Sequence, residues 1–156
     1  MIIEVKIGAL IMDPNTNNPI VVLKGIESET ILPIWVGAFE ANAIALEIEK
    51  IAPQRPMTHD LLRNIIIELG LKINRVVIND LRENTFYALI ELTTAENKII
   101  ALDSRPSDAI ALALRLDCPI FVEQKVIEIS VSSQTEEANS SDISIGNSED
   151  WPDLIG

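Results

Sequence analysis

The sequence predicts an α+β fold in which duplicated β-β-β-α units share one mixed, largely antiparallel sheet core and are joined by a linking helix. The first observation is alternation: along residues 3–11 an apolar side chain occupies every second position, which is typical of a half-buried strand. The second is a repeat, because Ala43-Ile-Ala-Leu46 recurs 66 residues later as Ala109-Ile-Ala-Leu112, with the same order of predicted elements around it. Neither unit could bury its sheet alone, so the two are expected to share one core.

The predicted elements follow one another in a regular order. The first unit has strands at residues 3–11, 20–25 and 31–36 and a helix at 39–51, the second has strands at 72–81, 85–93 and 98–102 and a helix at 109–116, and a last strand follows at 119–124. Thr58 is a good N-cap and Gly70 a good stop for the linking helix. The apolar stripe of that helix consists of Leu61, Leu62, Ile65, Ile66 and Leu69. Residues 31–36 are apolar on both faces, which predicts a central strand.

The composition divides the chain into a folded part and a tail. Residues 1–128 are expected to form the domain, whereas residues 129–156 are an acidic, Ser-rich tail that we expect to be disordered. The formal net charge is −12, and residues 128–156 contribute seven acidic side chains and no Lys or Arg. Trp151 and the Leu154-Ile155 pair could form a short docking motif or could be residual hydrophobic residues on a solvated tail.

Charge and cysteine content restrict the function classes. An acidic chain is poorly suited to coating nucleic acid electrostatically, but the balance does not exclude an enzyme that holds a phosphodiester through a metal ion or a local arginine. Cys118 is the only cysteine, so an intrachain disulfide is excluded and a buried, inert thiol is expected. The N-terminus lacks a signal-peptide core, and no apolar run is long enough to span a membrane. We therefore expect a cytoplasmic protein, or a stromal one if the chain is plastid-encoded.

A cluster of polar residues separates the predicted strand at 98–102 from the helix at 109–116. It contains Asp103, Arg105 and Asp108, and charges held between two buried elements are costly unless they are paired. Two further groups lie at helix starts: Glu40 in the first unit, and His59 with Asp60 in the linking helix. The carboxylates could simply offset the helix dipoles. Asp103 and Arg105 could pair with each other.

The same residues could instead form a reactive site. Carboxylates of Glu40, Asp60, Asp103 and Asp108 could bind a divalent ion such as Mg or Mn, which would activate water and offset phosphate charge. Arg105 or Arg55 could hold the phosphate. His59, the only histidine, could be a general base, a ligand or a phosphate contact, or merely a packed residue of a first helical turn. Phosphate-binding loops, nucleophile elbows and zinc-protease motifs do not occur in the sequence.

Two motifs resemble those of the bifunctional nuclease domain family, which is also classified as a domain of unknown function. They are Arg55-Pro-Met-Thr-His-Asp-Leu-Leu62 and Asp103-Ser-Arg-Pro-Ser-Asp-Ala-Ile-Ala-Leu112, supported by Leu32-Pro-Ile-Trp-Val-Gly37, Glu40-Ala41 and Thr85-Phe-Tyr-Ala88. The resemblance covers roughly residues 1–128. It implies an α+β fold with duplicated units, homo-oligomers, and, for plant members, action on both RNA and DNA. The matching polar residues are Glu40, His59, Asp60, Asp103, Arg105 and Asp108.

Two functional hypotheses follow from these observations. In the first, the protein is a metal-assisted nuclease in which Glu40, Asp103 and Asp108 bind the metal. His59 with Asp60 then belongs to the catalytic group, His59 acting as base or phosphate contact, and Arg105 holds the phosphate. In the second, the domain is a non-catalytic, homo-oligomeric (dimeric or trimeric) binding module whose acidic tail recruits a protein partner. The acidic surface motivates the second hypothesis.

Overall fold

A computed structural model of the chain describes residues 1–140, with side chains to residue 135. Its strands are β1 (Ile2–Met12), β2 (Pro19–Gly25), β3 (Ile31–Trp35), β4 (Lys72–Arg82), β5 (Thr85–Thr93), β6 (Ile99–Ser104) and β7 (Ile120–Glu123). Its helices are α1 (Ala38–Ile48), α2 (Thr58–Glu68), α3 (Pro106–Leu116) and α4 (Gln124–Ser140). The order β-β-β-α thus occurs twice, with α2 between the two units, and the α+β class is confirmed.

All seven strands form one mixed, mostly antiparallel sheet. Its strand order is β3-β2-β1-β7-β4-β5-β6, so each unit contributes an antiparallel meander and the two meanders meet around β7. β7 is antiparallel to β1 and parallel to β4. The strand that comes after both units in sequence therefore lies at the centre of the sheet and joins them.

Aliphatic side chains from both meanders fill a single core. Ile44 of α1, Ile78 of β4, Ile110 of α3 and Val122 of β7 are fully buried in it. Helix α3 packs against α1, α2 and the strands β4 and β5, which makes it the central helix of the domain. Its run of small buried residues, Ala109, Ala111 and Ala113, allows this close approach of neighbours.

The structure corrects the predicted position of the third strand. Residues 31–36 were expected in the middle of the sheet, but β3 is an edge strand that pairs only with β2 among the described residues. Only one face of β3 is buried: Leu32 and Ile34 lie in the core, whereas Ile31, on the other face, is 58% exposed, so apolar residues on both faces do not by themselves indicate a central strand. The outward Trp35 stays half-exposed, and its indole Nε1 donates a 3.1 Å hydrogen bond to Asp13, which holds the β1–β2 turn.

The predicted domain boundary at residue 128 falls within helix α4. Helix α4 runs through it to Ser140, and its first turns pack on β4 and β7. Val126 is fully buried and Ser130 is nearly so. Residues 129–140 are described as the continuation of this helix, while residues 141–156 of the predicted tail, with Trp151, Leu154 and Ile155, lie outside the described residues.

Two smaller expectations concern the membrane and the single thiol. None of the helices described over residues 1–140 is long and apolar enough to cross a membrane.

Cys118 is partly buried against the core, and this burial raises the pKa of its thiol to about 11. The thiol is therefore protonated at neutral pH, as expected of an inert cysteine.

Candidate functional site

The first turns of α1, α2 and α3 and the end of β6 surround a cavity of about 640 Å³. Most of the polar residues singled out in the sequence line it, although they are as many as 68 positions apart in the chain. Those that line it are Glu40, His59, Asp103, Arg105 and Asp108. The packing of α1 and α2 on α3 brings the three helix starts together.

Four of these side chains form a continuous network. Arg105 donates from Nη2 to Glu40 Oε1 at 2.6 Å and from Nε to Asp108 Oδ2 at 3.0 Å. The other carboxylate oxygen of Asp108, Oδ1, lies 2.9 Å from His59 Nε2. The chain of contacts Glu40–Arg105–Asp108–His59 therefore alternates carboxylate, cation, carboxylate and imidazole.

Local sequence explains how the network is placed. Pro106 begins α3 with a backbone angle already suited to a helix, and it leaves Arg105 as an extended N-cap residue just outside the first turn. Asp108 lies in that first turn, three residues after Arg105, so the pair can meet across it. Gly37 is the N-cap of α1, and a Cβ at this position would collide with the Glu40 carboxylate. A glycine here therefore gives the carboxylate room to reach Arg105.

The ion pairs of the network shift the pKa values of Glu40 and Arg105. The hydrogen bond from Arg105 is the main reason why the pKa of Glu40 lies below its usual value. The same bond, together with Asp108, raises the pKa of Arg105. Both groups are therefore charged throughout the neutral range, and Arg105 is a fixed cation beside the cavity.

His59 and Asp108 form the part of the network that is suited to proton transfer. The His59 ring is nearly buried, with 11% of its side chain exposed, and its Nε2 faces the carboxylate. With the carboxylate accepting from Nε2–H, the neutral ring carries its lone pair on Nδ1, which bonds to no described residue. A ring held in this way can accept a proton at Nδ1.

Asp60 lies beside His59 in sequence but belongs to a different cluster. Its Oδ1 accepts a 2.9 Å bond from Arg115, and its Oδ2 accepts the backbone N–H of Met57 at 3.0 Å. Burial works to raise the pKa of Asp60, but the bonds from Met57 and Arg115 outweigh it and the pKa is lowered. The expected catalytic group is thus divided, with His59 facing Asp108 and Asp60 holding the helix start.

Arg115 is a residue that the sequence reasoning missed. Only 3% of its side chain is exposed. Besides Asp60 of α2, its guanidinium binds the carbonyl oxygens of Ala111 in α3 and Ala43 in α1, at 2.9 Å and 3.0 Å. It therefore ties together the three helices that carry the network. An arginine at the end of an otherwise apolar helix was the available signal.

Two other candidates remain outside the network. Asp103 lines the cavity but is exposed, and it forms no ion pair within the described part of the chain. Arg55 is exposed in the loop before α2 and is not among the side chains that line the cavity. Of the two Arg-Pro dipeptides, only Arg105-Pro106 contributes to the site.

The expected metal ligands do not fit an ion site in this arrangement. No three acidic, His or Cys side chains of the described residues are grouped so that they could hold a metal ion. Glu40 and Asp108 are held apart by the Arg105 guanidinium, which supplies the positive charge that an ion would otherwise bring. An ion shared by Glu40, Asp103 and Asp108 would require Arg105 to move.

Comparison with known proteins gives the same family as the motifs. The family model described as the bifunctional nuclease domain matches residues 21–135. An uncharacterized protein of Mycobacterium tuberculosis is 43% identical over 124 residues, which cover 80% of this chain and 73% of that protein. Bifunctional nuclease 2 of Oryza sativa subsp. japonica is 32% identical over 101 residues, covering 64% of this chain and 31% of its own. Bifunctional nuclease 1 of Oryza sativa subsp. indica is 27% identical over 101 residues, with 64% and 30% covered. With three quarters of its length matched by one family model, and with the two motifs forming a single site, the chain belongs to the bifunctional nuclease domain family.

Proposed function

We propose that the domain is a nuclease that hydrolyses phosphodiester bonds in DNA, RNA or both. The observation that supports it most is the Glu40–Arg105–Asp108–His59 network, because it combines a fixed cation with an oriented imidazole at one cavity. The names of the rice relatives favour the same activity, although the matches cover only 31% and 30% of those proteins.

Each member of the network has a chemical role in this proposal. Asp108 accepts from Nε2–H of His59 and leaves Nδ1 to take the proton of an attacking water. The new P–O bond forms to that water while the bond to the leaving sugar oxygen breaks, and the imidazolium or solvent returns a proton to the leaving oxygen. Arg105 offsets the phosphate charge, and Glu40 fixes the orientation of Arg105. None of these steps passes through a metal ion.

The phosphate would reach Arg105 on its open side. The arginine side chain is 65% exposed, and its contacts with Glu40 and Asp108 use Nε and Nη2. Nη1 bonds to no described residue, so one donor pair of the guanidinium remains for a ligand. Because the chain as a whole is acidic, this local contact has to supply the attraction that the wider surface does not.

A cleavage assay with two arginine variants tests the proposal. Labelled DNA and RNA strands are incubated with the full chain, with Mg, with Mn and with EDTA. Loss of the general base or of its partner should lower the rate by roughly 10²- to 10⁴-fold, so His59→Gln and Asp108→Asn are expected to be nearly inactive. Arg105→Gln should lose most activity, whereas Arg55→Gln, the matched exposed arginine outside the cavity, should keep it.

Four results would contradict the proposal or part of it. Absence of cleavage under every metal condition argues against the nuclease activity itself. Full activity of His59→Gln refutes the assigned base, and equal losses in the two arginine variants refute the assigned phosphate contact. If EDTA abolishes cleavage, the divalent ion of the sequence-based hypothesis becomes necessary, and Arg105 must then leave its position between the carboxylates.

The exposed face of α2 favours a homo-oligomer. Of this helix only His59 is buried, whereas Leu61, Ile65 and Leu69, which are spaced by one turn, are 53%, 44% and 67% exposed. A row of large apolar side chains in water is unusual for a monomer and marks an interaction surface. A second copy of this chain is the proposed occupant, since the row can pair with itself across a two-fold axis. Oligomerisation is compatible with the nuclease as well as with a non-catalytic module.

A further inference from the structure

The cavity beside the network has a second set of side chains that the proposed hydrolysis does not use. They are Phe39, Asn42, Met57, Leu62 and Leu102, which line it together with Arg105. Phe39 is 89% exposed, an unusual state for a side chain of this size and apolarity. An accessible aromatic ring at a cavity that also holds a cation requires an explanation beyond packing.

Phe39 and Asn42 are placed to act together. They are three residues apart on α1, hence on neighbouring positions of one helix face, and both line the cavity. The side-chain amide of Asn42 is exposed and forms no hydrogen bond with any described residue. Its donor and acceptor atoms are therefore free for a ligand that lies against the ring.

Another part of the cavity wall is apolar. Met57, Leu62 and Leu102 are each between 42% and 46% exposed, and they come from the loop before α2, from α2 and from β6. Together with the Phe39 ring, these side chains give the cavity an apolar surface that a flat aromatic ligand could contact. The cavity volume of about 640 Å³ falls within the roughly 300–1,000 Å³ of small-ligand sites.

From this arrangement we infer that the cavity holds one unpaired nucleotide of a single strand, with its base stacked on Phe39 and its phosphate at Arg105. The inference rests on the proposed function and names its substrate class. Asn42 contacts the edge of the base, and Glu40, between the two residues in sequence, keeps Arg105 in place. A base inside a duplex cannot stack on a protein ring without leaving its partner, so paired strands should bind less well.

Binding can be measured independently of cleavage because the chain has a single histidine. The imidazole resonances of His59 in the full chain are followed by NMR during titration with a six-nucleotide single strand carrying uncleavable phosphorothioate links. The same strand in a blunt hairpin duplex is the second arm. The single strand should shift the His59 signals and bind at least tenfold more tightly than the hairpin.

Two variants of exposed side chains distinguish base stacking on Phe39 from nonspecific binding to apolar surface. Phe39→Leu keeps an apolar side chain but removes the ring, and it should weaken single-strand binding about tenfold, in the range of one lost base stack. Ile99→Ala changes a 63% exposed side chain that does not line the cavity, and it should bind like the unaltered chain. Both positions are exposed, so circular dichroism spectra of both variants should be unchanged.

The possible results separate this inference from the proposed activity. Equal binding of strand and hairpin, unaltered binding by Phe39→Leu, or no binding of the single strand at all would each overturn the nucleotide site. Binding that depends on Phe39 without cleavage of a normal strand would support the site and contradict the nuclease proposal. Cleavage that is unaffected by Phe39→Leu would support the nuclease proposal and contradict the nucleotide site.

Discussion

Arg115 and Asp60 show how one pair of side chains can position a site that neither of them enters chemically. The guanidinium reaches α1, α2 and α3, and Asp60 is its only carboxylate partner among the described residues. Both charges are largely withdrawn from water. A buried pair of this kind adds little net stability, but removal of one member leaves the other uncompensated.

Removal of the carboxylate should therefore destabilise the domain. Asp60→Asn is expected to lower the free energy of unfolding at pH 7 by about 3 kcal/mol, because Arg115 stays buried without its countercharge. Asp80→Asn is the matched control, since the partner of Asp80, Arg82, is 68% exposed, and a much smaller loss is expected. Urea denaturation measures both. A loss for Asp60→Asn no larger than that of the control would contradict the role given to Arg115.

The Asp60–Arg115 pair also predicts how the difference in unfolding free energy between the unaltered chain and Asp60→Asn depends on pH. The pKa of Asp60 is lowered in the folded state from 3.8, so its stabilising contribution is complete above 3.8 and is lost as the pH falls through the lower folded value. The stability of the unaltered chain and of Asp60→Asn should therefore converge on acidification below pH 3.8. A difference that stays constant to the lowest pH at which the chain folds would contradict this linkage.

At the scale of single elements, the start of α1 depends on a glycine. Gly37 ends the apolar segment after β3 and is the N-cap of α1, and its missing Cβ leaves space for the Glu40 carboxylate. Its backbone angles are ordinary, so the glycine is needed here for space and not for conformational freedom. The position of Glu40, and through it that of Arg105, thus depends on the size of one residue between β3 and α1.

Gly37→Ala should consequently disturb the site more than the fold. The new methyl group would push the flexible Glu40 carboxylate away from Arg105, so we expect activity to fall about tenfold, the equivalent of about 1.4 kcal/mol lost from one charged contact. The melting temperature should change little. Glu40→Gln should have a similar effect, and the double variant should be no worse than either single one. Additive losses would show that the two residues act separately.

At the scale of the whole molecule, the two halves of the sheet meet at β7 and share one core, but one apolar helix face stays exposed. Helix α2 joins the two units, packs mainly on α3, and leaves its apolar row in water. The stripe on this helix was evident in the sequence, but only Ile66 of its five residues is even partly buried in the domain. A stripe of this kind predicts burial without saying whether the partner is the same chain or another copy.

The molecular mass in solution tests this surface. The unaltered chain should sediment as a dimer, and a variant with Leu61→Gln, Ile65→Gln and Leu69→Gln should sediment as a monomer with an unchanged circular dichroism spectrum. Ile26→Gln with Ile31→Gln, at exposed positions away from α2, is the control and should keep the oligomer. A monomeric unaltered chain, or a triple variant of unchanged mass, would rule out α2 as the interface.

Local patterns in the sequence were sufficient for the order of the elements from β1 to β7, the α+β class and most members of the Glu40–Arg105–Asp108–His59 network, but not for α4. Alternation and helical spacing depend on near neighbours, and Glu40, His59, Arg105 and Asp108 stood out as charged or titratable groups at helix starts. Arg115 could not be found in this way, because its partners lie 55 and 72 positions away in Asp60 and Ala43. Its burial is visible only once three helices meet.

Tertiary structure decided the arrangements that depend on long-range packing. It placed β3 at an edge and β7 at the centre, since a strand's apolar pattern does not state how many strands flank it. It also set Arg105 between Glu40 and Asp108, where the sequence alone suggested that the carboxylates would share a metal ion. Residue types determine which groups can carry charge, but their chemistry depends on the distances at which the folded chain holds them.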